Sequence, residues 1–301
     1  MIDFSQVSEL RPGPRKFLET RRQELAGMRF ERIRVSPLSP TLGAEIHGVD
    51  LTREVDEAAF AEIERAFLAF KVVFFRDQPI DVERHMAFAR RFGELEEHPF
   101  LPAREGHGEV IRFAKDEDVV GVENLWHSDV SWREIPSLGS VLHALEVPAV
   151  GGDTLWADME AAWEGLPEEL RERLDGLTAV HDFAHSFGLA MSKEKLAEMR
   201  DRFPPVEHPV VRTHPVTGRK CIYVNAIFTS HIPDLEPGEG EALLRTLYRQ
   251  AAIPEYQCRF RWEPHSIAFW DNRSTQHYAS SDYWPQARVM ERVTVIGDRP
   301  F

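Results

Sequence analysis

The 301-residue chain is short of cysteine, of basic charge and of long apolar runs, and each shortage closes off a class of protein. Two cysteines, Cys221 and Cys258, cannot make a disulfide framework, and neither belongs to a C-x-x-C pair, so a reducing cytoplasm is the expected setting. Lys and Arg total 36 against 50 Asp and Glu, a formal net charge of −14, which argues against nucleic acid or an anionic membrane as partner. No stretch approaches the roughly eighteen apolar residues of a spanning helix, and the start at Met1-Ile-Asp-Phe-Ser5 lacks the charged and apolar regions of a secretory signal. The expectation is a soluble, unexported protein. Internal repeats, low-complexity tracts and a Pro/Ser-rich linker are missing too. What remains is 43% hydrophobic, enough for a full core.

Short β-type runs recur from Arg29 onward, at Phe30–Val35, Val72–Phe75, Val110–Phe113, Ser140–Leu145, Asp153–Trp156, His208–Val211, Cys221–Val224, Arg259–Trp262, Ser266–Trp270 and Arg288–Ile296. Between them helical periodicity predicts helices at Glu54–Ala69, Val82–Arg91, Met159–Trp163, Glu168–Leu174, Lys193–Arg202 and Gly238–Gln250, with Asp81 and Ser192 standing where N-caps belong. Many short strands with peripheral helices fit a mainly β jelly roll better than an alternating βαβ sheet. Residues 1–28 read as an N-terminal extension, helical from Lys16 to Met28, and residues 29–301 as a single domain. Two segments resist assignment, 98–123 and 181–205, and stretches of that length in a compact domain often serve as lids. Within the first, His107-Gly-Glu109 reads as a solvated loop.

The last predicted strand carries the strongest chemical hint. Side chains alternate with period two, so Arg288, Met290, Arg292, Thr294 and Ile296 share one face, and Val289, Glu291, Val293 and Val295 the other. Two arginines among apolar neighbours are costly to bury unless anions meet them. An edge strand with snorkelling arginines is the alternative. Upstream, an extended Trp126-His-Ser-Asp129 would aim His127 and Asp129 the same way, and His277 follows the aromatic strand that ends at Trp270. Two histidines and one carboxylate make a facial triad suited to Fe(II), with three positions open. Spacing alone decides little, since 13 His and 50 acids should produce H-x-[DE] about twice by chance, and it occurs at His127 and at His107. The pair His127/Asp129 can equally cap a strand end, His277 can be a surface histidine, and Thr154, after Gly151-Gly-Asp153, can be ordinary strand filling.

Longer blocks in order lift that ambiguity. Thr41-Leu-Gly-Ala-Glu-Ile46, Lys71-Val-Val-Phe-Phe-Arg-Asp-Gln78, Arg91-Phe-Gly-Glu-Leu95, Trp126-His-Ser-Asp-Val130, Gly151-Gly-Asp-Thr-Leu-Trp156, His208-Pro-Val-Val-Arg-Thr-His-Pro215, Trp270-Asp-Asn-Arg273 with Thr275-Gln-His-Tyr278, and Arg288 to Asp298 together resemble the taurine dioxygenase family of Fe(II)- and 2-oxoglutarate-dependent oxygenases, from about Arg29 to Phe301. The resemblance implies a jelly-roll oxygenase with His127, Asp129 and His277 as iron ligands and O2 as oxidant. Thr154 and Arg288 would hold the distal carboxylate of 2-oxoglutarate. His98, the backbone N–H of Val130 and Arg292 would hold the acidic head of a small anionic substrate, with Phe187 and Phe228 lining its pocket. It also implies a homo-oligomer.

By the same resemblance the reaction hydroxylates a sulfonate such as taurine at the carbon bearing sulfur and yields sulfite, an aldehyde, succinate and CO2. Two departures touch the substrate end. Leu101 stands where the family places a tyrosine near the head, and Glu123 stands near an asparagine that faces the amine. Alkyl sulfates, other alkylsulfonates and an aryloxy carboxylate therefore stay open as substrates. A non-catalytic jelly-roll binding protein is the alternative from another class.

Overall fold

The computed structural model describes residues 14–301, so the first thirteen residues of the expected extension lie outside the described part. The helices are α1 (Leu18–Gly27), α2 (Glu57–Phe70), α3 (Val82–Arg90), α4 (Met159–Glu164), α5 (Glu168–Leu174), α6 (Lys193–Arg202) and α7 (Pro237–Tyr248). The first seven strands are β1 (Arg34–Pro37), β2 (Ala44–His47), β3 (Val72–Phe75), β4 (Ala103–Arg104), β5 (His107–Lys115), β6 (Ser137–Glu146) and β7 (Thr154–Asp158). Then come β8 (Thr178–His181), β9 (Val206–Pro209), β10 (Val211–Thr213), β11 (Lys220–Ile222) and β12 (Thr229–His231). The chain closes on β13 (Gln257–Phe260), β14 (Ile267–Asp271), β15 (Thr275–Ala279) and β16 (Arg288–Ile296).

A large sheet runs β1-β2-β3-β14-β6-β16-β5-β4, and a small one runs β13-β7-β15. Period-two alternation sorts the central strands of the large sheet between two apolar layers. Val72, Phe74, Ala268, Trp270 and Met290 meet Trp156, Cys258 and Phe260 of the small sheet. Phe74 stacks on Phe260 with centroids 4.1 Å apart, so the two sheets face each other. Val73, Phe75, Phe269, Val293 and Val295 face the other way, against Ile63, Phe67 and Phe70 of α2 and Phe88 of α3. Behind the small sheet, Ala157 packs with Met159, Leu243 and Leu247 of α4 and α7. α1 is tied to the body by Leu18 and Leu25, which enter two of these layers, and by the Arg21 guanidinium, which donates to the Ala69 carbonyl.

The caps expected at Asp81 and Ser192 are present, accepting from the Arg84 and Lys195 amides. Several boundaries differ from expectation for identifiable reasons. Strand β1 starts at Arg34 because the Glu62 carboxylate takes the amides of Glu31, Arg32 and Ile33 out of strand pairing. Strand β5 extends the expected Val110–Phe113 run in both directions: residues 110–115 pair with β16, and His107-Gly-Glu109, expected as a solvated loop, is its outer end, where His107 pairs with Arg104 of β4 and Gly108 stays exposed. The second lid candidate is built, with 3-10 turns at Phe183–His185 and Phe187–Ala190 followed by α6. Ile296 does not share the arginine face buried: the register shifts between Val295 and Ile296, and Ile296 is 38% exposed. The small strands β2 and β8 carry too few alternating residues to be seen in the sequence.

Histidine burial gives the fold a pH signature. Burial pushes His85 down to about 3 and His143 and His208 to about 4, so each is neutral in the folded chain. The unfolded chain takes up these protons below about 6.5, so stability is full above that pH and drains away as pH falls toward 4. A thermal midpoint that falls steadily between pH 6.5 and 4 is the expected result. A flat profile over that window would contradict neutral burial.

Candidate active site

The gap between the two sheets opens into a cavity of about 460 Å³, lined in part by His98, His127, Asp129, Thr154, His277, Arg288 and Arg292. His127 and His277 are brought together by backbone: their amides and carbonyls exchange hydrogen bonds of 3.1 and 2.8 Å, an isolated bridge at the start of the site. Asp129 follows two residues on, before the backbone turns sharply at Val130, whose φ of +46° is a left-handed conformation that a β-branched residue adopts only under constraint. Ligand-capable atoms of His127, Asp129 and His277 all lie within 4.8 Å of one another, and among the described residues this is the group that could hold a metal ion. His107 is not part of such a group; its Nδ1 lies 3.7 Å from Glu83.

Local bonds prepare each member for a cation. His127 Nδ1 donates to the Leu125 carbonyl at 2.8 Å, which fixes the tautomer and leaves Nε2 a free lone pair. Asp129 Oδ2 accepts from Ser140 Oγ at 3.0 Å, and Oδ1 receives Arg292 Nη1 at 2.7 Å. Burial alone would raise this carboxyl, but Arg292, His277 and His127 overcome it and hold it well below the usual range, so it is an anion. Burial and then His127 push His277 down to about 3, so its ring is neutral at working pH and keeps a lone pair for a metal. The donor set is two neutral imidazoles and one carboxylate, which fits Fe(II).

The arginines are where the strand pattern put them, on the inner face of β16, each under a tenth exposed. Arg288 spends Nε on the Gly152 carbonyl at 3.2 Å and leaves Nη2 buried with no hydrogen-bond partner. Thr154 Oγ1, also in the lining, accepts the indole N–H of Trp262 at 2.9 Å, which frees its own proton for another acceptor. A guanidinium with one buried spare donor, lining the same cavity as a hydroxyl with a spare donor, fits a carboxylate such as that of 2-oxoglutarate. Arg292 likewise keeps a buried, unpartnered Nε. His98 Nδ1 accepts the amides of Phe100 and Leu101 at 3.2 and 3.1 Å, so its proton sits on Nε2. Burial, with Arg292 nearby, pushes His98 down to about 3 and keeps that ring neutral. Phe187 and Phe228 both reach the lining and stack with centroids 6.1 Å apart.

Glu123, the second departure from the family, is partly exposed and already paired. It reaches the cavity wall, but its Oε1 is held by Lys115 Nζ at 2.9 Å and its Oε2 by the Val122 amide at 2.9 Å. Leu101 lines the cavity with Phe113, Leu125, Leu142 and Leu189, so the missing tyrosine is one part of a largely apolar wall. Sequence reasoning missed the supporting residues. Ser140 reaches Asp129 because β6 lies between β14 and β16, and Asn272 Oδ1 takes the Asp129 amide at 3.3 Å. Only the order of strands reveals the first, while the second was signalled by Trp270-Asp-Asn272.

Residues 34–294 match the family described as taurine catabolism dioxygenase TauD, TfdA family. The chain is 36% identical over 274 residues to an alpha-ketoglutarate-dependent sulfate ester dioxygenase of Pseudomonas putida, covering 88% of this chain and 90% of that one. It is 34% identical over 281 residues to an alpha-ketoglutarate-dependent 2,4-dichlorophenoxyacetate dioxygenase of Cupriavidus pinatubonensis, covering 87% and 97%. A solved taurine dioxygenase from Burkholderia xenovorans superposes with a TM-score of 0.78 at 39% identity over 90% of this chain and 91% of that chain. AAD-2, solved with Mn(II) and N-oxalylglycine, superposes with a TM-score of 0.77 at 33% identity over 90% and 99%. The chain belongs to the TauD, TfdA family and is a 2-oxoglutarate-dependent dioxygenase that uses Fe(II) and O2.

Proposed function

We propose that the protein hydroxylates a small sulfonate or sulfate ester with an uncharged tail, at the carbon next to the acidic head. The two facing sheets are read as the jelly-roll core of this enzyme class, carrying His127, Asp129 and His277 as the iron ligands and Thr154 with Arg288 as the grip on the distal carboxylate of 2-oxoglutarate. Iron with 2-oxoglutarate and O2 supplies the oxidising power, at the cost of one co-substrate converted to succinate and CO2. The chain's own residues decide which carbon is presented. Arg292, His98 through Nε2–H, and the backbone of Val130 offer donors to an anionic head beside the triad, and Phe187 and Phe228 clamp the body behind it. Hydroxylation next to the head gives an adduct that sheds sulfite from a sulfonate, or sulfate from a sulfate ester, and leaves an aldehyde.

The observation that carries this reading is the buried, unpartnered Nε of Arg292 beside the triad in an otherwise largely apolar cavity. Taurine, which the sequence resemblance suggests, fits less well because its ammonium would meet a carboxylate already held by Lys115. The test is O2 uptake with Fe(II), 2-oxoglutarate and a panel of alkanesulfonates, alkyl sulfates, aryloxy acids and taurine, with sulfite and sulfate assayed. Substrate-stimulated uptake with release of sulfite or sulfate is expected. Arg292→Leu should lower kcat/KM for the anion by about 30-fold or more while Fe(II) binding and slow uncoupled 2-oxoglutarate turnover persist. Stimulation by the aryloxy acids alone would refute the proposed head group.

A further inference from the structure

We infer that Lys115 and Glu123 form a paired specificity element that tunes the cavity to a substrate with an uncharged tail, an inference that rests on the head-group reading above. Apart from the triad and its two arginines, these supply the remaining carboxylate and ammonium of the cavity lining. Lys115 ends β5 directly opposite Arg288 of β16, so the two side chains stand on the same inner face. Glu123 sits on the loop that leads into His127. The 2.9 Å bridge therefore joins the co-substrate side of the cavity to the loop that walls the substrate side.

Its stoichiometry gives it the proposed role. Glu123 already meets an ammonium, that of Lys115, on one oxygen and the Val122 amide on the other, so an incoming ammonium must displace or share Lys115. Lys115 is in turn neutralised, so it does not draw an anionic tail. The neighbours Val122, Leu125 and Leu189 are apolar and reach the cavity, which favours hydrocarbon at that end. A tail of either sign must compete with a preformed partner of its own sign, so both are rejected through one bridge. Removing one member should uncover the other and reverse the preference in a direction set by charge alone.

The test measures kcat/KM for linear alkanesulfonates ending in a methyl, an ammonium or a carboxylate group, taurine included, on wild type, Lys115→Met and Glu123→Gln. Wild type should prefer the methyl end. Lys115→Met should shift the ammonium-to-methyl ratio upward by about tenfold, and Glu123→Gln should shift the carboxylate-to-methyl ratio upward by a similar factor. Loss of folding would lower all rates together and cannot produce opposite shifts in two variants. The affinity for 2-oxoglutarate, read in the same variants, should stay within about twofold. Unmoved ratios in variants that still turn over the methyl series would overturn the inference and leave the head-group reading standing. The same holds if the dominant change falls on 2-oxoglutarate affinity. Failure of wild type to turn over any sulfonate or sulfate ester would overturn the head-group reading, and this inference with it.

Discussion

Arg288→Leu is expected to weaken 2-oxoglutarate binding by about 2–5 kcal/mol, roughly 30- to 4,000-fold, while leaving the unliganded fold as stable or more stable. Both halves come from one observation. Arg288 is 7% exposed, its Nη2 has no partner, and burial, the largest influence on it, pulls its pKa below the ordinary arginine value. The ring of Tyr283, 5.8 Å from the guanidinium carbon, and the Gly152 carbonyl are weak substitutes for an anion. A site that keeps a charge undercompensated in the free protein gains most when a carboxylate arrives. The measurement is a pair: 2-oxoglutarate affinity by titration and thermal midpoint without ligand. Unchanged affinity would reject the anchoring role, and a collapse in stability would mean that Arg288 supports the fold instead.

His277→Ala should abolish stoichiometric Fe(II) binding and with it turnover, the largest functional loss expected from any single change. His277 contributes one of two imidazoles, its ring centroid 4.2 Å from that of His127, and Asp129 alone cannot chelate with the remaining ring against water. His107→Ala is the matched control, since it removes the histidine of the H-x-[DE] match outside the site, which lies in strand β5 near Glu83 and outside the cavity lining. Iron binding should be intact in that variant. Equal loss in both would show that the assay reports general histidine coordination and not this site.

Much of this architecture could be read in the residues because period-two alternation states which way a side chain faces. Arg288 and Arg292 were placed on one face with Met290, and Met290 does enter the layer between the sheets. The helices at Glu168–Leu174 and Lys193–Arg202 were legible to the residue, the latter through its Ser192 cap. The rest depends on neighbours that sequence spacing does not encode. Ser140 serves Asp129 only because β6 inserts between β14 and β16, and Trp262 serves Thr154 because β13 brings it alongside β7. Val110–Phe113 was legible as a strand, but glycine and charge in His107-Gly-Glu109 hid its extension toward β4. The tautomer of His98 follows from two loop amides, and the occupation of Glu123 from a lysine eight residues earlier; neither has a motif. The collinear blocks identified the reaction type, while the substrate end, where the chain departs from the family at Leu101 and Glu123, is built from contacts that no motif encodes.

The most direct measurement is an anaerobic titration of the chain with Fe(II) in the presence of 2-oxoglutarate, followed by visible charge-transfer absorption. Joint capture of metal and co-substrate by the triad and Arg288 predicts a band that needs both ligands, saturates at one iron per chain, disappears in His277→Ala, and in Arg288→Leu returns only at much higher 2-oxoglutarate. A band of undiminished intensity and stoichiometry in His277→Ala, or no band in the wild-type chain, would contradict it.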